Sequence, residues 1–85
     1  MLFRSPVYSS ATLRFALAGP APVTLAVFDV QGRRIATLLN RSPMASGEHL
    51  VPLVTIGWPA GCYLARLEAN GMTTTRKMVV LRQGR

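Results

Sequence analysis

The most reactive side chains in this 85-residue chain are its single cysteine, Cys62, and its single histidine, His49. A thiol nucleophile needs a base within hydrogen-bond reach. The two residues fall on different predicted strands, and the sequence pairs no carboxylate with His49. We therefore predict no nucleophilic catalysis. We expect Cys62 to be a small core residue, because free cysteine is among the most buried residue types.

The three carboxylates of the chain are equally scattered. Asp29 falls in a predicted turn, and Glu48 and Glu68 fall on separate predicted strands, so no pair is set up for general acid–base catalysis. One histidine, one cysteine and three distant carboxylates give no metal-ligand spacing. No glycine-rich phosphate loop leads into a helix. The sequence predicts a protein that is not an enzyme and needs no cofactor or metal.

The formal net charge is +7, from ten cations and three anions. Such a balance is compatible with an acidic partner or a nucleic acid. Nine of the cations are arginines: Arg4, Arg14, Arg33, Arg34, Arg41, Arg66, Arg76, Arg82 and Arg85. They are dispersed, and no aromatic stacking motif accompanies them. We interpret them as solvated outward positions on strands and expect no nucleic-acid partner; an RNA- or DNA-binding module is the weakest alternative.

The length predicts one domain with a small core. No stretch approaches the ~20 apolar residues that cross a bilayer, so we expect no membrane insertion. Residues 1–10 lack the apolar run of a signal peptide. The chain is therefore expected to be either the tail of a larger exported protein or a protein that stays inside the cell.

Turn residues recur about every ten positions, which is the rhythm of a domain of short strands. Side chains alternate between apolar and polar in residues 11–17, as in a strand with one wet face. The predicted strands are 11–17, 23–30, 33–39, 48–54, 62–69 and 73–81. We expect a break at residues 19–22 and a polar connection over residues 40–47. Strands that follow strands predict an all-β, immunoglobulin-like antiparallel β-sandwich of six to seven strands.

Several residues have a specific structural interpretation. Gly32, Gly47, Gly61 and Gly71 are expected in tight turns, and Asn70–Gly71 is a strong hairpin signal. The strand over residues 23–30 is apolar on both faces, which indicates a central strand or a bulge near its end. Pro52 indicates an edge strand.

Three side chains are singled out at the turns. Asp29 is expected to accept backbone N–H groups. The hydroxyl of Tyr63 is expected to reach a backbone group, as in a tyrosine corner. Trp58 could be an exposed docking anchor, but a lid over one end of the core is the favoured interpretation.

Five segments together resemble the type A C-terminal sorting domains of the type IX secretion system, which are related to the immunoglobulin-like domain of the flagellar hook-capping protein. They are Ser5–Leu17, Val27–Ile35 with its aromatic-Asp and Gly-Arg pairs, Gly47–His49, Trp58–Leu67 with its Pro-x-Gly-x-Tyr pattern, and Lys77–Arg82. The resemblance spans residues 5–82 in the expected order. The chain departs from the family at Ser5, Trp58 and Cys62, and residues 83–85 extend past the usual end, which could weaken recognition of the C-terminus.

The resemblance implies a non-catalytic address that an outer-membrane translocon recognises and a sortase removes, joining the cargo to a surface lipopolysaccharide. It implies passage through the periplasm to the cell surface or the exterior of a bacterium. Residues 1–10 would be the linker, 11–82 the domain and 83–85 a tail. The implied recognition residues are Asp29, Gly32, Arg33, Gly47, Trp58, Gly61, Tyr63, Leu67, Lys77, Val79 and Arg82. The alternative is a structural module, such as a hook-cap-like scaffold or filament subunit, that forms homo-oligomers through edge strands.

Overall fold

The computed structural model describes residues 9–81, which form six strands and no helix. The strands are β1 (Ser10–Leu17), β2 (Ala21–Asp29), β3 (Arg34–Met44), β4 (Gly47–Val54), β5 (Gly61–Ala69) and β6 (Met72–Val80). The all-β prediction is confirmed, and the strand count is at the lower end of the expected range. Among residues 9–81 there is no helix long and apolar enough to cross a membrane.

The strands form two antiparallel sheets. β1 pairs with β4, and the larger sheet has the order β3-β2-β5-β6. Leu13 and Phe15, from the inner face of β1, are buried together with Val23 and Leu25 of β2. A second buried cluster joins β4 to the larger sheet through Val27, Leu53, Tyr63, Ala65, Met78 and Val80. The two sheets therefore pack face to face, consistent with an immunoglobulin-like sandwich.

β2 is a central strand of the larger sheet, with β3 on one side and β5 on the other. Its pairing with β3 shifts register three times, once between Val27 and Phe28. The outward ring of Phe28 is half-buried beneath two guanidinium groups: Arg66 lies 4.4 Å and Arg34 5.4 Å from the ring centroid. The central position in the sheet and the irregularity near the end of the strand are thus confirmed, but cover on both sides is not: within residues 9–81 no further sheet lies over the outward face, where arginine side chains cover Phe28 instead.

Two predicted connections are wrong because β2 and β3 are longer than expected. β2 already begins at Ala21, and Pro22 pairs with Pro43. β3 continues to Met44, so that only residues 45 and 46 separate it from β4. Proline is tolerated here because β3 is the edge of its sheet and Pro43 need not donate to an outer neighbour. Pro52 likewise lies on an edge strand, as predicted, because β4 belongs to a two-stranded sheet.

The hairpin between β5 and β6 is confirmed. Ala69 pairs with Met72, and the two residues between them have positive φ angles, 53° for Asn70 and 74° for Gly71. Positive φ at both central positions is the signature of a type I′ turn.

The prediction that Cys62 is a core residue is wrong, because its side chain is exposed. Neighbouring residues of a strand face opposite sides. Since Tyr63 is 6% exposed and points inward, Cys62 must point outward. The alternation along β5 therefore overrides the general tendency of cysteine to be buried.

Candidate functional site

A tight turn after β2 is organised by the carboxylate of Asp29. Its Oδ1 accepts the backbone N–H groups of Gln31 and Arg33, each at 2.9 Å, and its Oδ2 accepts Nε–H of Arg33 at 2.8 Å. Gly32 has φ 86°, a left-handed conformation that suits glycine. The predicted role of Asp29 is confirmed, and its carboxylate is occupied in holding the turn rather than available as an acid.

A second loop, between β4 and β5, is fixed by Tyr63. The Tyr63 hydroxyl donates a 2.6 Å hydrogen bond to the carbonyl oxygen of Pro59. The ring lies 5.1 Å from that of Trp58, with an interplanar angle of 46°. The N–H of Trp58 donates in turn to the carbonyl of Thr55 at 3.0 Å. Tyr63 thus binds the backbone as predicted, and half-buried Trp58 packs on the core cluster that contains Tyr63, in accordance with the lid interpretation.

The turn and the loop lie at the same end of the sandwich, because Asp29 of β2 pairs directly with Tyr63 of β5. Between them is an open groove of about 380 Å³. We call it the end groove; it is lined by residues 29–31, Arg33, Ile35 and residues 57–63. The groove is open to solvent rather than enclosed.

The lining of the end groove is largely apolar, and part of it faces solvent. Val30 is 71% exposed and Ile35 is 42% exposed, and Ile56, in the loop between β4 and β5, is 74% exposed. Apolar side chains clustered around a groove are typical of interaction sites. The side chain of Arg33 is 74% exposed and adds a cation to the rim.

Five of the predicted recognition residues line the end groove: Asp29, Arg33, Trp58, Gly61 and Tyr63. Gly32 belongs to the same turn. The others are spread over the domain. Gly47 begins β4, Leu67 packs against the cluster formed by β1 and β2, and exposed Lys77 pairs with Leu64 in the larger sheet.

Of the remaining two predicted residues, Val79 is half-buried and pairs with Cys62. Arg82 lies outside the described residues. The predicted recognition residues thus include one group that meets at the end groove and others that are spread over the domain.

Sequence reasoning missed Val30, Ile35 and Cys62 as lining residues. Val30 was assigned to a strand, but β2 ends at Asp29 and Val30 lies in the turn. An apolar residue immediately after the turn-forming Asp29 was the available signal. Ile35 and Cys62 are brought to the groove only by the pairing of β2 with its two neighbours, which the sequence does not specify.

The single histidine and the single cysteine belong to different sheets. His49 belongs to the smaller sheet, where its ring lies 5.4 Å from that of Phe15 and its Nε2 hydrogen-bonds the carbonyl of Ala45. Cys62 belongs to the larger sheet. Within the described range no three His, Cys, Asp or Glu side chains are grouped as metal ligands would be.

Every carboxylate side chain of the sequence is paired with an arginine. Asp29 binds Arg33, Glu48 lies 3.3 Å from Arg14, and Glu68 lies 3.1 Å from Arg66. Exposed pairs of this kind contribute little to stability. Their consequence is electrostatic: the surface has arginines that are not paired with a carboxylate, whereas every carboxylate side chain is paired.

The domain should lose stability in acid, because protonation of Asp29 weakens the hydrogen bonds that its carboxylate accepts. The backbone N–H of Arg33 is the largest cause of a lowered Asp29 pKa, and the side chain of Arg33 and the N–H of Gln31 add to it. Because the folded pKa lies below the ordinary value of 3.8, this stabilisation is full above that value and is lost as the pH falls through the folded pKa.

We therefore expect Asp29→Asn to flatten the dependence of the melting temperature on pH below about pH 5. The measurement is thermal unfolding of both proteins between about pH 7 and pH 2. Glu68→Gln is the control, since Glu68 makes an exposed ion pair with Arg66 and holds no turn. An unchanged slope in Asp29→Asn would show that the turn does not depend on the ionised carboxylate.

Comparison with known proteins gives one positive finding. The sequence model of one family, described as the secretion system C-terminal sorting domain, matches residues 2–81. No curated protein and no solved structure matches the chain. The match spans nearly all of the chain and includes both segments that form the end groove.

Proposed function

Since the chain belongs to the secretion system C-terminal sorting domain family, we propose that an outer-membrane translocon of the type IX system recognises the folded domain and that a sortase then removes it. Membership already makes the domain an export signal, for delivery to the surface or exterior of a bacterium, and implies contact with the secretion machinery. The proposal adds the recognition event and the cleavage. The cargo would then be joined to a surface lipopolysaccharide, while the sorting domain itself performs no chemistry.

The observation that carries this proposal is the meeting of two distant family segments at the end groove. Residues 27–35 and 58–67 are separated in sequence, yet they line one surface through the pairing of Asp29 with Tyr63. Both are held rigidly, one by the Asp29 carboxylate and the other by the Tyr63 hydroxyl. A preformed surface binds without first having to be ordered, which reduces the entropic cost of recognition.

The division of the chain follows from the same proposal. Residues 1–10 form the linker in which the sortase cleaves, residues 11–82 are the recognised domain, and residues 83–85 are a tail. Exposed Lys77, together with Arg82, offers cations that orient an acidic partner and raise the rate of encounter more than the affinity.

The test is to fuse residues 1–85 to a periplasmic reporter in a host that has this secretion system. We expect the reporter to appear at the cell surface without the sorting domain. The unfused reporter and a fusion that carries Val27→Asp, which buries a charge in the core and should prevent folding, are the controls. A wild-type fusion that stays in the periplasm would contradict the proposal.

A second candidate function is assembly through strand edges. Within residues 9–81, β1 and β4 make a sheet of only two strands, and β3 and β6 are the outer strands of the larger one. Open strand edges can pair with another copy. Light scattering of the purified domain distinguishes the two functions, because a strict monomer over a wide concentration range excludes homo-oligomers formed by such pairing.

A further inference from the structure

We propose that the end groove binds a segment of a partner protein in which a carboxylate stands next to a large apolar side chain. This inference rests on the proposed function and names the surface and the chemistry of recognition. The apolar side chain would contact Val30 and Ile35 along the groove, and the carboxylate would meet the guanidinium group of Arg33 at its rim.

The apolar half of the proposal follows from exposure. Val30 and Ile35 are 71% and 42% exposed beside half-buried Trp58. These side chains frame a concave surface of about 380 Å³. Burying them against a partner would remove apolar area from water, and a tryptophan in the floor is the residue type that most often anchors an interface.

The preference for a carboxylate follows from the hydrogen bonding of Arg33. Asp29 engages Nε of Arg33, and within residues 9–81 no acceptor occupies the two Nη groups. The Asp29 side chain lies beneath Arg33 and is 14% exposed, whereas the Arg33 side chain is 74% exposed. The neighbouring Arg34 is exposed, but it does not line the groove: its guanidinium lies 5.4 Å from the Phe28 ring centroid and donates to the Thr37 hydroxyl. The rim therefore presents the free N–H groups of one guanidinium, which suit a carboxylate.

A second copy of this chain is a poor occupant of the groove. Its only carboxylate side chains are Asp29, Glu48 and Glu68, and each is already paired with an arginine of its own domain. Two copies would also bring together two chains of net charge +7. The bound segment must therefore come from another molecule that has unpaired acidic groups.

A nucleic acid fits the groove less well than a protein does. Its phosphates would satisfy Arg33, but its backbone offers nothing to Val30 and Ile35. Trp58 is half-buried and packs at a tilt against Tyr63, which leaves it a smaller surface than the exposed rings on which bases stack. The combination of apolar floor and cationic rim favours a protein segment.

The binding test uses the full chain and its only tryptophan as the reporter. The probe is the capped peptide Ac-Asp-Leu-Asp-Leu-Asp-amide, titrated at low salt while Trp58 fluorescence is recorded. We expect saturable binding of this peptide and binding about ten-fold weaker for the matched Asn-Leu-Asn-Leu-Asn peptide. Equal response to the two peptides, no response to either, or tighter binding of a single-stranded oligonucleotide would overturn the proposal.

Matched variants locate the binding surface. Val30→Glu and Met72→Glu each replace an exposed turn-flanking residue, 71% and 73% exposed, at opposite ends of the sandwich. Arg33→Gln is compared with Arg76→Gln; within residues 9–81 the Arg76 side chain binds only the carbonyl of Thr75. We expect about ten-fold weaker binding for the groove variants alone. Thermal unfolding checks that all four variants remain folded.

The same four variants are then placed in the reporter fusion. Failure of the wild-type fusion to reach the surface would refute the proposed function. If the wild-type fusion is exported, loss of export for Val30→Glu and Arg33→Gln, but not for Met72→Glu and Arg76→Gln, supports the groove as the recognised surface. Equal export of all four would refute the groove and leave the proposed function intact.

Discussion

Replacing Leu25 with alanine is expected to lower the free energy of unfolding by about 3 kcal/mol. Leu25 is fully buried in the middle of β2, in one cluster with Leu13 and Phe15 of the smaller sheet. The loss combines the transfer of the removed atoms to water with the cavity that they leave. For a domain of this size it corresponds to a fall in melting temperature of about 15 °C.

Chemical denaturation of the two proteins measures this effect. Leu50→Ala is the matched control, because it makes the same chemical change on a side chain that is 63% exposed, where the expected loss is under about 0.5 kcal/mol. Similar losses for both variants would mean that the two-stranded sheet does not cover β2, and the sandwich described above would be wrong.

Replacing Tyr63 is expected to have two separable effects. Tyr63→Phe removes the hydrogen bond to the Pro59 carbonyl and should cost about 1 kcal/mol. Tyr63→Ala also removes the ring that packs on Trp58 and fills the core, and should cost about 3 kcal/mol. Only the alanine variant should shift the fluorescence maximum of Trp58, because only that variant takes away the ring 5.1 Å from the indole.

The two measurements are unfolding in denaturant and the emission spectrum of the native protein. Tyr63→Phe is the control for Tyr63→Ala, since it keeps the ring and loses the hydroxyl. If the two variants were equally destabilised, the hydroxyl would be the main support of the loop. An unaltered emission spectrum in Tyr63→Ala would contradict the packing of Trp58 on the ring.

Much of the fold could be predicted from local patterns. The alternation around Leu13 and Phe15 located β1 because a strand with one wet face repeats every two residues. Asn70–Gly71 located its hairpin because few residue pairs accept positive φ at both central positions. Asp29 was predicted to accept backbone N–H groups for a similarly local reason. These features depend on neighbours in sequence, which a single chain displays.

The wrong predictions concern residues whose environment depends on the position and orientation of their strand in the sheet. Pro43 suggested a connection, but at an edge strand proline forfeits no ladder bond, and β3 passes through it. Cys62 was assigned to the core from residue type alone, although its position next to inward-facing Tyr63 required the opposite.

The end groove could not be predicted from the sequence at all. It exists because Asp29 is opposite Tyr63, and that register joins residues far apart in the chain. The family resemblance indicated which segments matter but not that they touch. Some of its recognition residues therefore lie at the groove, whereas others, such as the partly buried Leu67, pack against the core.

The two pairings of β1 with β4 and of β2 with β5 both join distant parts of the chain. Leu17 is opposite Gly47 and Asp29 is opposite Tyr63, so each pairing closes a loop of roughly thirty residues or more. Domains dominated by such distant pairings fold in about milliseconds to seconds. During synthesis β1 has no strand partner until β4 has emerged, so the nascent domain exposes the apolar Leu13–Phe15 face until then.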